Sequence, residues 1–282
     1  MTQLHRRHLL STPRLAGVGL FIFAAACHRH PPVAAPAPVT AAPKPAPAPE
    51  ATVISSAATA VDAMHARYAP SWFKTLTYVQ KTTLYLPSGG DLVQTWYGAL
   101  SLPGHMRVDT DRKSRSGVLY AGDSVFTFAS GKRTSTDNRL NDLLVLPFDA
   151  YTQSGARTQA QLRRLGYDLS KFHEGIWQGR SVYVIGAMRG DTTSDQFWID
   201  RERLVVVRVI GSGRQGRTDT HLTNYVQTGG GWVATEIVQL VNGKRRIVEQ
   251  FSDLRPNVSL SDDLFDPKAW SSATHWASTP NK

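Results

Sequence analysis

Apolar and polar residues alternate in short runs along most of this chain, and the runs end at turn-forming residues. Leu76 and Tyr78 occupy even positions among more polar neighbours, which is the two-residue period of a half-buried β-strand. Clusters of Pro, Gly, Ser and Asn separate the runs, and Asn242-Gly243 is a strong short hairpin signal. The pattern predicts about ten or eleven antiparallel strands. They fall in two series, at about 76–129 and 172–254.

Helical patterns occur at three places. One helix is predicted between Ser55-Ser56, which can cap it, and Pro70, which stops it. Two shorter helices are predicted between the strand series, at about 138–146 and 158–165. Open twisted sheets of this size curl or close. The sequence therefore predicts a mainly β protein with a single curled antiparallel sheet, an N-terminal helix and two short helices.

The run at 204–210 is almost continuously apolar, whereas most other runs alternate. Strands that are apolar on both faces are covered on both faces. Three helices could cover one face of so large a sheet only in part, which predicts an apolar cavity on that face. The alternative is that the same side chains make a filled core.

The first 26 residues have the order of a secretory signal peptide, because Arg6, Arg7 and Arg14 precede an apolar run with no acidic residue among them. The run is about a dozen residues, too short for a hydrocarbon core that needs roughly 20. The single cysteine, Cys27, follows three alanines, which resembles the lipobox of bacterial lipoproteins, where the thiol is acylated. The alternative is an ordinary cleavage site that leaves Cys27 unlipidated. The export route, Sec or twin-arginine, stays open because the arginine pair matches a twin-arginine signal only in part.

Proline and alanine dominate residues 27–54, which lack the bulky apolar residues of a core. We expect a disordered tether there, followed by one domain at 55–270 and a flexible tail at 271–282. Removing residues 1–26 takes away three arginines and no acid, so the net charge falls from +10 to +7. The basic residues are spread along an exported chain, so no nucleic-acid partner is expected. With one cysteine, no disulfide can form within the chain.

The sequence carries no constellation typical of catalysis. His65, His105, His173 and His221 are isolated, and none has a second ligand at the spacing of a metal site. Neither a G-x-S-x-G elbow nor a P-loop is present. We therefore expect no enzyme activity, no catalytic residue, no metal and no cofactor.

Segments of the second strand series carry a resemblance to a known family. Residues 176–180 read Ile-Trp-Gln-Gly-Arg, residues 195–200 read Asp-Gln-Phe-Trp-Ile-Asp, and Arg208 follows in the next apolar run. With Leu-Phe-Asp-Pro at 264–267 and the order of helix, meander, short helices and second meander, the chain resembles the LolA/LolB-like lipoprotein-sorting carriers. The resemblance implies an unclosed half-barrel of about eleven strands with short lid helices, whose lining holds acyl chains.

Bulky residues on central strands are the candidates for the lining that this resemblance implies. They are Tyr78, Trp96, Phe126, Phe128, Tyr183, Trp198 and Val207. Leucines between the two meanders are the candidates for a lid or a membrane-contact loop. They are Leu140, Leu143, Leu144 and Leu146.

The expected partners are the acyl chains of a lipid or lipoprotein, and the membrane through acylated Cys27. His28, rather than an acidic residue, follows the cysteine, which resembles outer-membrane sorting. The expected location is therefore the outer membrane, facing the periplasm. An alternative of another class is a non-enzymatic envelope sensor or scaffold that binds a protein through the same fold, since relatives of this fold include periplasmic stress-sensing regulators.

Overall fold

A computed structural model describes residues 53–213 and 215–278. The predicted signal peptide of residues 1–26, Cys27 and most of the predicted tether lie outside the described residues. The described residues include most of the predicted domain and the first part of the predicted tail.

Two meanders of antiparallel strands make one sheet. Its strands are β1 Thr75–Tyr85, β2 Asp91–Ser101, β3 His105–Asp111, β4 Ser116–Ala121, β5 Ser124–Ala129, β6 Lys132–Asp137, β7 Phe172–Trp177, β8 Arg180–Ile185, β9 Gln196–Asp200, β10 Val206–Gly213, β11 Gly216–Thr228, β12 Gly231–Val241 and β13 Lys244–Pro256. β1 pairs with β13 at the centre, and each meander runs from there to an edge, β6 on one side and β7 on the other. The sheet is therefore unclosed, and the pairing of β1 with β13 joins the two meanders.

Helices cover one face of the sheet, which we call the inner face. They are α1 Ala57–Tyr68, α2 Asp142–Leu144, a π-helical turn Val145–Asp149, α3 Ala150–Thr152 and α4 Gly155–Arg164. Two 3-10 helices, Asp262–Phe265 and Trp276–Ser278, belong instead to the C-terminal segment. As predicted, α1 begins at a capping box of Ser56 and Thr59 and ends just before Pro70. We call residues 141–152 the cover segment. No helix in the described part of the chain is long and apolar enough to cross a membrane.

The sheet contains a strand that the sequence pattern does not reveal. β6 reads Lys-Arg-Thr-Ser-Thr-Asp, has no apolar residue and lies exposed at the sheet edge. A solvated edge strand buries no face, so it shows no apolar alternation. The predicted fold class, a mainly β single curled sheet with an N-terminal helix and short helices, is confirmed.

The helix predicted at 138–146 begins later and changes type. Asn141 caps α2, since its side chain accepts a hydrogen bond from the Leu143 amide at 3.0 Å. Pro147 has no amide proton and cannot continue an α-helical ladder, and the chain passes through the π-helical turn before α3. The helix predicted at 158–165 is present as α4.

The run at 204–210 is buried on both faces of the sheet, as its pattern predicts. Two of its valines belong to the inner-face core that α1 and the cover segment complete. Val205 and Val207 belong to a smaller cluster on the opposite, outer face. Trp177 and Trp198 of the sheet itself pack on that cluster, so no helix is needed there.

The C-terminal segment, residues 260–276, packs on the outer face of the first meander. Trp270 is its central side chain, only 2% exposed and stacked on Phe128 with 4.2 Å between ring centroids. The indole Nε1 of Trp270 donates to the Arg115 carbonyl oxygen at 2.9 Å, and the Arg107 guanidinium lies 3.8 Å from the ring. This segment covers the outer face of the first meander.

Packing continues past residue 270, where the sequence predicts a flexible tail. His275 Nε2 lies 3.2 Å from Asp109 Oδ2, and Trp276 packs on the same cluster as Trp270. Asp109 also accepts two hydrogen bonds of 2.9 Å from Arg107. Burial opposes the ionisation of Asp109, but the bonds from His275 and Arg107 outweigh it, so the pKa of this carboxyl lies below its ordinary value.

Candidate functional site

A cavity of about 330 Å³ lies between the inner face and the cover segment. Strands β1 to β4 and β11 to β13 supply its walls. Asn141, Leu143, Pro147 and Phe148 of the cover segment line its other side. The helices therefore fill the inner face only in part, as the sequence predicts.

Alternate residues of each strand point to the inner face, and these residues form the cavity walls. The register places Tyr78 opposite Gly98 and Gln80 opposite Trp96, so the even-numbered residues of β1 and β2 face inward. A Cβ at Gly98 would lie 2.0 Å from the Tyr78 ring, so only glycine lets this tyrosine lie across β2. Tyr78 then meets Phe251 of β13 edge to face, with 5.1 Å between ring centroids. The two central strands thus supply an aromatic wall.

One acid interrupts this largely apolar lining. Glu249 of β13 lies opposite Thr82 of β1 and Ile237 of β12, and its half-buried side chain lines the cavity. Burial raises the pKa of the Glu249 carboxyl from its ordinary value of 4.5 to about 7. A hydrogen bond from Gln80 lowers this pKa, but by less than burial raises it. Burial, with a smaller contribution from Glu249, also raises the pKa of Tyr78. The cavity therefore disfavours negative charge.

We expect the substitution Glu249→Gln to stabilise the protein above neutral pH. Because the folded-state pKa lies above the unfolded one, the wild type loses stability as pH rises from about 4.5 to about 7, when Glu249 must ionise inside the fold. Glutamine avoids that cost, so the variant should gain about 3 kcal/mol at pH 8 and almost nothing at pH 4.5. Urea unfolding at both pH values measures the difference, and equal gains at both would contradict the pKa argument.

The structure brings two of the seven predicted lining residues to this cavity, Tyr78 and Trp96. Tyr183 also lies on the inner face, but in its filled part, where its ring stacks on Phe172 with 5.4 Å between centroids. The Arg201 guanidinium packs on the same ring at 5.0 Å. Tyr183 is therefore a core residue away from the cavity.

The other four predicted lining residues lie on the outer face. Phe126 and Phe128 pack with Trp270, because Val125 and Thr127 take the inward positions of β5. The remaining two, Trp198 and Val207, belong to the outer-face cluster of the second meander. The size of a side chain does not show whether it points inward. Paired residues on neighbouring strands share a face of the sheet, so the pairing that starts from Tyr78 identifies further lining residues. They include Met106, Val108, Val118, Tyr120, Ile237, Glu249 and Phe251.

The four leucines predicted as a lid or membrane-contact loop lie in or beside the cover segment. Leu143 lines the cavity. Leu144 and Leu146 are 3% and 1% exposed and belong to the inner-face core, and Leu140 is buried as well. In this conformation Leu143 covers the cavity, and the other three leucines are buried and offer little surface to a membrane.

A second aromatic group on the outer face packs around an arginine that is paired with an aspartate. The Arg208 guanidinium lies between Trp177 and Trp198, at 4.3 and 4.5 Å from their rings. Asp219 accepts two hydrogen bonds from Arg208, at 2.8 and 2.7 Å. These contacts hold strands β10 and β11 together. In the part of the chain that the structure describes, no group of three His, Cys, Asp or Glu residues could hold a metal ion.

Comparison with solved structures decides the fold. No family model and no curated protein matches the sequence. An outer-membrane lipoprotein-sorting protein domain from Vibrio parahaemolyticus is similar with a TM-score of 0.51 and 12% identity, over 76% of this chain and 97% of that one. A DUF1329 family protein from Desulfovibrio piger gives a TM-score of 0.51 and 13% identity over the same shares. This chain has a LolA/LolB-like fold.

A LolA superfamily protein from Nitrosomonas europaea aligns over 74% of this chain and 98% of that one, at 14% identity and a TM-score of 0.47. The similarity to the first two structures, at 12% and 13% identity, shows the fold and not the activity, because one fold carries many functions. Within this fold, the cavity under the cover segment is the candidate functional site.

Proposed function

We propose that this protein binds the acyl chain of a lipid or lipoprotein in the inner-face cavity, for carriage or for localisation to the outer membrane. The observation that carries the proposal is an apolar cavity of about 330 Å³ beneath the cover segment. Each buried methylene contributes roughly 0.8 kcal/mol, so a chain enclosed by such a lining binds strongly without any charged contact. The function is non-enzymatic.

The similarity to a lipoprotein-sorting domain supports this proposal at the level of the fold. The cover segment supports it at the level of the site, because it forms one side of the cavity. α2 and α3 are each three residues long and are separated by a π-helical turn. Such short, interrupted helices carry few internal hydrogen bonds, which suits a wall that opens.

Native mass spectrometry tests the binding proposal. The full chain carrying Cys27→Ala, purified without detergent, should show an added lipid mass that denaturation releases. Extraction with organic solvent should then create a site for the fluorescent apolar probe N-phenyl-1-naphthylamine. A clean protein mass together with no probe binding would overturn the proposal.

We also propose that Cys27 is acylated and that residues 27–54 link the domain to the periplasmic face of the outer membrane. The order of basic start, apolar run, small residues and lone cysteine supports this anchor. Cells fed a radioactive fatty acid should label the wild type and leave Cys27→Ala unlabelled. The wild type should fractionate with outer membranes and the variant with soluble periplasm. A labelled variant, or a wild type found in the soluble fraction, would contradict the anchor.

A further inference from the structure

Polar side chains of β1 lie beside Glu249. Gln80 and Thr82 of β1 face the same side as Glu249, and the buried Gln80 amide donates to Thr82 Oγ1 at 2.8 Å. Tyr78 and Tyr120, from β1 and β4, are close enough for Glu249 to raise the pKa of both phenols. Most of the remaining walls are aliphatic or aromatic.

No cation among the described residues pairs with this acid. None of the described residues that line the cavity is Lys, Arg or His. The described ion pairs include none to Glu249, and the only partner that favours its ionised form is Gln80. A carboxyl in such a place keeps unused capacity to accept hydrogen bonds.

We propose that Glu249 recognises the polar end of the bound amphiphile, and that this end carries a hydrogen-bond donor, a hydroxyl or an ammonium, and no negative charge. The inference rests on the acyl-chain function proposed above and adds the class of the ligand. A donor on the ligand binds the carboxylate, while the apolar walls enclose the chain. A fatty-acid carboxylate would place a second negative charge beside Glu249 in a site of low dielectric, which is unfavourable.

The opposite face of the sheet offers a matched control. Glu236 of β12 precedes Ile237, so its side chain faces outward and lies within hydrogen-bond distance of Thr223 and Gln250. Glu236→Gln therefore removes the same charge from the neighbouring strand without touching the cavity.

The experiment measures displacement of N-phenyl-1-naphthylamine at pH 8 by dodecylammonium, dodecanol and dodecanoate, each below its micelle-forming concentration. In the full chain carrying Cys27→Ala, we expect the ammonium and the alcohol to displace the probe at concentrations at least tenfold lower than dodecanoate. Adding Glu249→Gln should bring dodecylammonium and dodecanoate within about threefold of each other. Adding Glu236→Gln should leave the original ratios unchanged. Glu249→Met also removes the charge and should behave like Glu249→Gln. Agreement between the two variants would show that the change does not come from a folding defect in one of them.

Ratios that stay the same in both Glu249 variants would overturn the role of Glu249 and leave acyl-chain binding standing. A change of equal size in Glu236→Gln would also overturn it, since the effect would then come from net charge. Failure of every amphiphile to displace the probe, or failure of the probe to bind at all, would overturn the proposed function and this inference together.

Discussion

Replacing Trp270 by alanine is expected to lower the free energy of unfolding by about 3–5 kcal/mol, the usual cost of removing a fully buried tryptophan. The indole is stacked on Phe128, lies against the Arg107 guanidinium and donates to the Arg115 carbonyl. Its removal leaves a cavity and also uncovers one side of the buried pair between Arg107 and Asp109. Urea unfolding, followed by circular dichroism, measures the loss.

Trp276→Ala is the control for Trp270. Trp276 belongs to the same C-terminal segment but is only partly buried. Its loss should cost less than half as much, because less apolar surface leaves water on folding. A Trp270→Ala variant no less stable than Trp276→Ala would show that the C-terminal segment does not close the outer face.

Filling the cavity is expected to abolish most ligand binding while the fold remains. Val118 of β4 lies opposite Val108 of β3, and both half-buried side chains line the cavity. Val118→Trp should place an indole in the space that the acyl chain occupies and weaken binding of N-phenyl-1-naphthylamine at least tenfold. Because the indole enters existing space, the unfolding midpoint should change little compared with overpacking of a filled core. Fluorescence titration and urea unfolding measure the two quantities.

Ile176→Trp supplies the control for bulk and hydrophobicity. Ile176 is 76% exposed on β7 and does not line the cavity. This variant should bind the probe as the wild type does. If both tryptophan variants bind as tightly as the wild type, the probe site lies elsewhere on the molecule.

The sequence predicts the two meanders and the first helix because their signals are local. Alternation marks the strands, turn residues mark their ends, and Ser56 and Pro70 mark the helix. The sequence does not predict β6, because an exposed edge strand has no apolar face and so no alternation of apolar and polar residues. The late start of α2 depends on which side chain caps it, Asn141, and not on the apolar pattern.

The lining is harder to predict than the strands because it depends on which way each side chain points. A one-residue change of phase moves a side chain to the opposite face. Phe126 lies on the outer face and its neighbour Val125 on the inner face, although phenylalanine is the bulkier residue. Glu249 was missed because an acid within a strand pattern ordinarily indicates the solvated face. Only the pairing of β13 with β1 and β12 places Glu249 inside.

Photo-crosslinking tests the acyl-chain cavity most directly. A dodecanoyl glycerol with a diazirine at the far end of its chain is bound to the full chain carrying Cys27→Ala, irradiated and located by peptide mass spectrometry. We expect one adduct per molecule, on peptides that contain inward residues such as Val108, Val118 or Phe251, and its loss in Val118→Trp. Adducts confined to outer-face residues or to exposed hairpins, unchanged in Val118→Trp, would contradict acyl-chain binding in the cavity.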